Sequence, residues 1–299
     1  MSNIIIYEVS STEKDLKLKD YLKGTAKFSS RLTREAAREG RIKVNNKVAR
    51  LSCILKEGDK IEIELNREES QNIEPEKMDI DVVYEDADLI VVNKSPGMVV
   101  HPTKCYQSGT LANGLLYYFK ETGQNCIVRL VSRLDMDTSG LIIVAKNQFS
   151  HMSLARDMQS EDFEKSYLAI VHNHMPEKKG TIDAPIIRPA EDSIKREVHP
   201  DGQRSVTHYE VVKSFEEGDL VKLTLETGRT HQIRVHVSYL GCPIYGDSLY
   251  GLEGDDKHIN RQALHAYRLA FPHPRTGEIV ELETKLPQDM EMLLKGFTE

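Results

Sequence analysis

The chain has 299 residues, and 40 lysine and arginine residues against 47 aspartate and glutamate residues give a formal net charge of −7. Hydrophobic residues make up 39% and charged residues 29% of the sequence, which is typical of a globular protein and excludes a disordered chain. No stretch reaches the ~18 consecutive apolar residues of a membrane span, and the opening MSNIIIYEVS does not resemble a signal peptide.

The cysteines are scattered and form no C-x-x-C pair, so the sequence indicates neither a zinc site nor a disulfide framework: they are Cys53, Cys105, Cys126 and Cys242. We therefore expect a reducing, cytoplasmic location. The negative net charge of the whole chain argues mildly against a nucleic-acid partner.

Charge is unevenly distributed along the chain. Residues 11–60 carry 14 basic and 7 acidic residues, a net +7, whereas residues 61–90 carry 2 basic and 11 acidic residues, a net −9. This pattern favours a small nucleic-acid-binding domain, an acidic linker (NREESQNIEPEKMD) and a larger domain, although a surface that is merely basic would look similar. We place the boundary near Glu74–Pro75, with domains of about 1–72 and 73–299.

The first domain begins with a strongly marked helix. Ser29 and Ser30 can cap a helix through RLTREAARE, and Gly40 is suited to end it. A period-two stretch, RIKVNNKVAR, then predicts a hairpin with an Asn45–Asn46 turn, and KEGDKIEIEL predicts a turn and strand. Several cations of this helix and hairpin are expected to follow RNA phosphates: Arg31, Arg34, Arg38, Lys43 and Lys47.

This order of elements resembles the RNA-binding domain first described in small-subunit ribosomal protein S-four. The resemblance covers residues 13–65, through the segments LKDYL, SSRLTREAAREGRIKVNNK and EGDKIEI. It implies RNA binding but no particular reaction.

The second domain alternates short apolar runs with turn signals, as in IDVVYEDADLIVVNKSPG, LIIVAKN, KSYLAIVHN, VTHYEVVKSF and LVKLTLETGRT. These runs predict strands, and TLANGLLYYFKETG, FSHMSLARDMQS and HQIRVHVSYLG predict helices. Many strands with few helices indicate an α+β domain on a mixed, largely antiparallel sheet. No glycine-rich nucleotide-binding motif is present.

The segment VSRLDMDTSGLIIVAKN places charged groups at the rim of a sheet. If Arg133 and Asp135 lie at a strand end, their side chains point the same way. They could simply tie a turn together. Alternatively, Asp135 and Asp137 could share acid and base roles on a glycosidic bond.

The segment HQIRVHVSYLG contains two histidines that could suggest a metal site. His231 and His236 diverge by about 140° on a helix of 3.6 residues per turn, and no further ligands converge with them. We therefore predict no metal site.

Four segments, EDADLIVVNKSPGMVVHP, SRLDMDTSGLIIVAK, ETGRTHQIRVHVSYLGCPIYGD and LHAYRLAFPHPRTGE, together resemble the RNA pseudouridine synthases of the RluA and RluD type. The resemblance spans residues 78–290 with the motifs in the family's order. One difference is visible, because the family usually reads His-Arg-Leu-Asp and this chain has Ser132 in place of the histidine.

The resemblance implies a pseudouridine synthase fold and isomerisation of a uridine that is flipped out of its stack. It implies that Asp135 is the catalytic carboxylate, either as a nucleophile toward the sugar or as a base that produces a glycal. It also implies that Arg234 pairs with Asp135, that Tyr167 contacts the base and that Arg133 fills the space the base vacates. Further residues in matching motifs, expected to shape the pocket or contact RNA, are His101, Arg229 and His265.

No cofactor or metal is implied. The expected partner is RNA, with large-subunit ribosomal RNA favoured over tRNA, and the resemblance favours a monomer. Two other functions stay open. The chain could be an inactive RNA-binding or ribosome-assembly factor, which Ser132 favours, or an RNA glycosidase that uses Asp135 and Asp137.

Overall fold

The computed structural model describes residues 4–65 and 71–298. Residues 4–65, the N-terminal unit, form a four-stranded antiparallel sheet of order β1-β4-β2-β3 and two helices. The elements are β1 (Ile4–Glu8), α1 (Leu18–Gly24), α2 (Ser30–Arg38), β2 (Ile42–Val44), β3 (Lys47–Val48) and β4 (Lys60–Glu64).

The predicted helix of this unit begins and ends where its capping residues indicate. The Ser29 hydroxyl accepts a hydrogen bond from the Leu32 amide (3.2 Å), and Gly40 follows the helix at φ +70°. Leu32 and Ala36 are buried, as their spacing predicts, in a core shared by both helices and the sheet. The Asn45–Asn46 turn of the hairpin is also confirmed, since both residues have positive φ.

Residues 71–298, the C-terminal unit, contain the remaining elements. They are β5 (Val82–Glu85), β6 (Leu89–Lys94), α3 (Leu111–Glu121), β7 (Arg129–Leu130), β8 (Ser139–Ala145), α4 (Gln148–Asp157), β9 (Glu164–His172), β10 (Lys179–Asp183), β11 (Ile186–Ile187), β12 (Glu197–Val198), β13 (Val206–Phe215), β14 (Gly218–Leu225), α5 (Gln232–Tyr239), β15 (Leu264–Pro272), β16 (Ile279–Glu283) and α6 (Gln288–Lys295).

One large sheet organises this unit. Its order is β10-β13-β14-β9-β15-β8-β6-β5, with β16 added beside β15 and β7 beside β8. The β15–β8 pair is parallel and the other pairs are antiparallel, which confirms the predicted α+β class and its mixed, largely antiparallel sheet. A separate two-stranded ribbon, β11–β12, lies outside this sheet.

Apolar side chains fill both faces of the sheet around β8, and every residue of β8 is buried. On one face α3 packs on β6 and β8 through Leu111, Leu115 and Phe119, and on the other Leu154 of α4 packs beside Phe271. A further core lies between β9, β13, β14 and β15 and the helices α5 and α6. The burial of β8 on both faces explains why it reads as a continuous apolar run.

The close approach of β8 and β15 requires a glycine. Gly140 has φ +113°, and a Cβ added there would lie 2.3 Å from the Ala266 carbonyl oxygen. No side chain fits in that space, so Gly140 fixes where the two parallel strands meet.

The two units touch through a small contact surface. The rings of Phe28 and Phe149 lie 4.6 Å apart between centroids, and Met152 of α4 also packs on the N-terminal core. Arg275 donates to the Ile4 carbonyl oxygen (2.9 Å) while it pairs with Asp88. Residues 66–70, which form part of the predicted linker, lie outside the described residues, so the boundary near 74–75 stays a prediction. None of the helices in the described ranges combines the length and apolarity needed to cross a bilayer.

Candidate active site

A cavity of about 910 Å³ opens beside the central strands of the C-terminal unit. Its walls come from the loop 99–103, the loop 130–135, the start of β9 and the segment 228–234. Among the described residues that line it, Asp135 is the sole carboxylate, whereas the cations are Arg133, Lys165, Arg196, Arg229 and Arg234. The positive charge of the cavity is therefore suited to an anionic ligand, and Asp135 supplies a single carboxylate to face it.

Asp135 lies in a loop, so the predicted strand end at this position is wrong. Strand β7 ends at Leu130 and β8 begins at Ser139, and the Thr138 amide donates to the Asp135 carbonyl oxygen (3.2 Å) in a tight turn. The side chain of Leu134 packs against two of the apolar cores, which turns the chain away from the strand direction.

Each of the three residues after Asp135 is held by a buried side chain. Lys94 donates to the Met136 carbonyl oxygen (2.8 Å), Arg261 donates to that of Asp137 (3.3 Å), and Gln262 donates to the Thr138 hydroxyl (3.2 Å). These anchors explain how a loop can position Asp135, because contacts from β6 and from the segment before β15 fix its backbone.

The Asp135 carboxylate is paired with Arg234 of α5. Arg234 donates from Nη1 to Asp135 Oδ2 (3.0 Å), and from Nε and Nη2 to the two carboxylate oxygens of Asp247 (2.7 Å each). The Asp135 side chain is 28% exposed, whereas that of Arg234 is 5% exposed and that of Asp247 is fully buried. Asp247 thus fixes the guanidinium, and the guanidinium orients the more accessible carboxylate.

This network is electrostatically balanced. Burial alone would lower the pKa of Arg234 and raise that of Asp247, but their mutual hydrogen bonds and opposite charges reverse both shifts. The ring of Tyr250 lies 5.2 Å from the Arg234 guanidinium carbon and adds a cation–π contact. His231 Nε2 is 3.9 Å from Asp135 Oδ2, and burial lowers the pKa of His231, which favours its neutral form.

Tyr167 of β9 also lines this cavity. It is 8% exposed, and its hydroxyl makes no hydrogen bond with any residue in the described ranges. Burial, with a smaller contribution from the Asp135 charge, raises the pKa of Tyr167, so the phenol keeps its proton. An apolar ring with a free hydroxyl is suited to contact a planar, polar ring.

Three further residues of this region were not predicted as site residues from the sequence. Asp247 fixes Arg234 although it is distant from Asp135 in sequence, and Lys94 Nζ donates to three carbonyl oxygens. Lys165 faces the cavity without an ion pair to any described residue, and burial lowers its pKa. Of these three residues, only Lys165 could have been found from the local sequence. Side chains two residues apart point to the same side of a strand, so Lys165 lies on the same side of β9 as Tyr167.

The structure brings together most of the predicted site residues. Ser132, Arg133, His101 and Arg229 line the cavity with Asp135, Tyr167 and Arg234. His265 does not line it. It is buried between the hydroxyls of Ser139 and Thr284, 2.9 Å from each, which supports a structural role in place of RNA contact. Asp137 also does not line it, so the two carboxylates required by the glycosidase alternative do not face one ligand.

The predicted cations of the N-terminal unit lie on its surface and are not among the residues that line the cavity. Arg31 pairs with Glu35 (3.1 Å) and Arg38 with Glu39 (3.8 Å), and both arginine side chains are more than 70% exposed. Arg34, Lys43 and Lys47 are also exposed.

One group of described residues has donor atoms close enough to hold a metal ion: Asp86, Asp88 and His273. These atoms are already engaged. His273 is 2.8 Å from Asp86, and Arg275 donates to both oxygens of Asp88 (2.6 and 2.9 Å). These hydrogen bonds and ion pairs account for the cluster without a metal ion. Through Arg275 the cluster also contacts the N-terminal unit.

Known proteins are similar to this chain over most of its length. Residues 88–239 match the family model described as RNA pseudouridylate synthase. The chain is 43% identical over 258 residues to the uncharacterized RNA pseudouridine synthase YjbO of Bacillus subtilis, covering 86% of this chain and 90% of that protein.

Two further comparisons are informative. The ribosomal large subunit pseudouridine synthase D of Zymomonas mobilis is 40% identical over 235 residues, which is 74% of each chain. The solved structure of human RNA pseudouridylate synthase domain containing 4 superimposes with a TM-score of 0.60 at 26% identity, over 72% of this chain and 92% of that one.

Proposed function

The chain belongs to the RNA pseudouridine synthase family, and on that premise we propose that it isomerises a uridine of large-subunit ribosomal RNA with Asp135 as the catalytic carboxylate. The name of the Zymomonas mobilis relative supports this RNA over tRNA. We further propose that the enzyme acts in the cytoplasm as a monomer.

The Asp135–Arg234–Asp247 network is the observation that carries the proposal. The reaction breaks the bond from uracil N1 to ribose C1′ and forms one from C5 to C1′, while C5 loses a proton and N1 gains one. Attack of a carboxylate on C1′ and removal of the C2′ proton both need an ionised carboxylate. Arg234 donates a hydrogen bond to Asp135 Oδ2 (3.0 Å) and so orients this carboxylate.

The other lining residues have complementary roles in this proposal. A uridine can enter the cavity only when it leaves its stack. Tyr167 would then contact the uracil ring. Arg133, which lines the cavity, is exposed and has no ion pair to any described residue, would occupy the vacated space. His101 and Arg229 would contact the backbone around it.

The N-terminal unit is proposed to bind RNA outside the cavity. Arg31, Arg34 and Arg38 are exposed on α2, and Lys43 and Lys47 are exposed on the adjacent hairpin. Such an exposed basic surface contributes affinity through phosphates.

The first prediction compares Asp135→Asn with Asp137→Asn. The assay measures tritium released to water from ribosomal RNA labelled at uridine C5, because C5 loses its hydrogen in this reaction. Asp135→Asn should abolish release, with a loss of at least about 10⁴-fold, since the reacting group is removed. Asp137→Asn is the matched control and should keep most activity, because Asp137 does not line the cavity.

Each alternative function has a distinct outcome. Free uracil in the product would indicate a glycosidase, and release that survives Asp135→Asn would contradict the assigned carboxylate. Absence of release from ribosomal RNA and tRNA would favour the binding factor, with Ser132 on the cavity wall as the first residue to exchange for histidine.

A further inference from the structure

A second cavity, of about 490 Å³, lies against the first. Arg196, Gly228, Arg229 and Thr230 line both cavities, so the two share one wall. The remaining walls of the second cavity come from β11, from Arg188 just after it, and from the segment 201–203. Its volume falls within the range of small-ligand sites.

Arginines that line these cavities differ from others in the C-terminal unit. Four of them make no ion pair with any residue that the structure describes: Arg133, Arg188, Arg196 and Arg229. Arg234, which also lines the first cavity, pairs with Asp135 and Asp247. Five arginines that line neither cavity each pair with a carboxylate: Arg156, Arg204, Arg261, Arg268 and Arg275. In a chain of net charge −7, free guanidinium groups concentrated at one place indicate an anionic ligand.

Backbone carbonyls orient these guanidinium groups without neutralising them. Arg196 Nη1 donates to the carbonyl oxygens of residues 193–195 (3.0–3.1 Å), and Arg188 Nε donates to that of Ser193 (2.9 Å). Arg229 Nε donates to the Arg204 carbonyl oxygen (3.2 Å). Asp201 is the one carboxylate among the residues that line this cavity, and its side chain is 86% exposed.

Arg196 is also tied to the catalytic network. Its amide donates to the Tyr250 hydroxyl (2.7 Å), and that hydroxyl lies 3.0 Å from His231 Nδ1 while the ring packs on Arg234. The second cavity therefore stands in a fixed position relative to Asp135.

We propose that the second cavity binds the phosphodiester next to the target uridine, with Arg196 and Arg229 on the shared wall and Arg188 on the far side. A guanidinium can donate two parallel hydrogen bonds to a phosphate, which suits oriented arginines better than a diffuse basic surface. This inference rests on the proposed function for its choice of RNA.

The test measures RNA binding rather than catalysis. Arg196→Gln and Arg188→Gln are each made in the Asp135→Asn protein, and affinity for a large-subunit ribosomal RNA fragment and for a nine-residue oligouridylate is measured against salt. Each variant should bind about tenfold more weakly, with a salt slope shallower by about 0.7 for single-stranded RNA. Arg196→Lys keeps the positive charge and should therefore recover part of the salt slope. If Arg196→Gln acted through a folding defect, the restored charge would not recover the slope.

Arg204→Gln is the matched control. It removes an equal charge from the residue next to Gln203, which lines the second cavity, but Arg204 is already paired with Glu226 (2.7 Å), so the slope should change little. Equal effects of Arg196→Gln and Arg204→Gln, or no change with Arg196→Gln and Arg188→Gln, would overturn the proposal. If the slope changes for Arg196→Gln and Arg188→Gln as predicted while the wild-type protein releases no tritium, the proposed reaction is rejected and the phosphate site is retained.

Discussion

At the scale of single residues, Arg234 combines two tasks that a lysine could not. Its three side-chain nitrogens each contact a carboxylate oxygen, two on Asp247 and one on Asp135. Removal of this group would leave Asp247 charged and buried, at a cost of about 3–5 kcal/mol. Exchange of Asp135 for asparagine changes shape very little, so that variant separates chemistry from folding more cleanly than any change at Arg234.

His265 makes a pH-dependent contribution to stability. Burial lowers the pKa of His265 to about 4 in the folded chain, whereas an unfolded histidine titrates near 6.5. Between these values the unfolded chain binds more protons, so the free energy of unfolding falls as the pH falls below 6.5. Between pH 7.5 and pH 5 the wild type should lose about 2 kcal/mol more than His265→Gln, as measured by urea unfolding.

The control for this prediction is His101→Gln. The His101 side chain is exposed, so its replacement by glutamine should change the free energy of unfolding little. Equal losses for wild type and His265→Gln would show that His265 does not titrate in this way.

The site residues could be predicted from the sequence only in part. Asp135 and Arg234 are 99 residues apart, and no local pattern connects them, so their pairing was predicted from the family resemblance alone. Asp247 lies within the segment ETGRTHQIRVHVSYLGCPIYGD, which resembles the family. Its contact with Arg234 depends on how α5 packs beside the loop after Ile244, and the distance between the two residues in the sequence does not reveal that packing. His265 lies in a matching motif as well, but its neighbours in the sheet make it structural.

At the scale of elements, the loop 131–138 depends on Lys94. Its Nζ donates to the carbonyl oxygens of Ser95, Met98 and Met136 (2.8–3.0 Å), which ties the end of β6 to the residue after Asp135. Burial lowers the pKa of Lys94 to about 7, and the nearby Asp137 charge opposes that shift. Lys94→Met should lower kcat on the order of 10²-fold through displacement of Asp135, as measured by tritium release.

The binding of RNA by Lys94→Met distinguishes positioning from a general folding defect. Its affinity for the ribosomal RNA fragment should stay within about threefold of the wild type, because Lys94 does not line the cavity. Lys120→Met, at the exposed end of α3, serves as the control and should keep full activity. An unchanged kcat in Lys94→Met would remove the proposed link between β6 and Asp135.

The elements with strong local signals were predicted correctly. Helix α2 has its serine cap and glycine end, and β8 is an uninterrupted apolar run. The strand end at Asp135 was wrong because Lys94, Arg261 and Gln262 hold that segment as a loop, and they come from distant parts of the chain. Helix α6 was not predicted, since its eight residues carry only two buried side chains.

At the scale of the whole molecule, residues 11–60 of this acidic chain carry a net charge of +7. Exchange of Arg31, Arg34 and Arg38 for glutamine should weaken binding of ribosomal RNA and make its salt dependence shallower, while kcat at saturating RNA stays close to that of the wild type. The reason is that these side chains are exposed on α2 and do not line the cavity. Binding titrations from 50 to about 200 mM salt measure this effect.

Arg156→Gln provides the comparison, because Arg156 is exposed and paired with Asp157 (2.7 Å) in α4. It should leave the salt dependence unchanged. A triple variant that binds with the wild-type slope would show that α2 does not contact phosphates.

The contact of Phe28 with Phe149 has a consequence for any shortened form of the enzyme. Phe149 is 5% exposed in the full chain and belongs to the core of the N-terminal unit, although α4 carries it. Cleavage that removed residues 4–65 would expose this ring and Met152 to water, and would free Arg275 from the Ile4 carbonyl. The truncated enzyme would expose an apolar surface that favours self-association. A loss of activity in such a protein could therefore arise from aggregation as well as from weaker RNA binding.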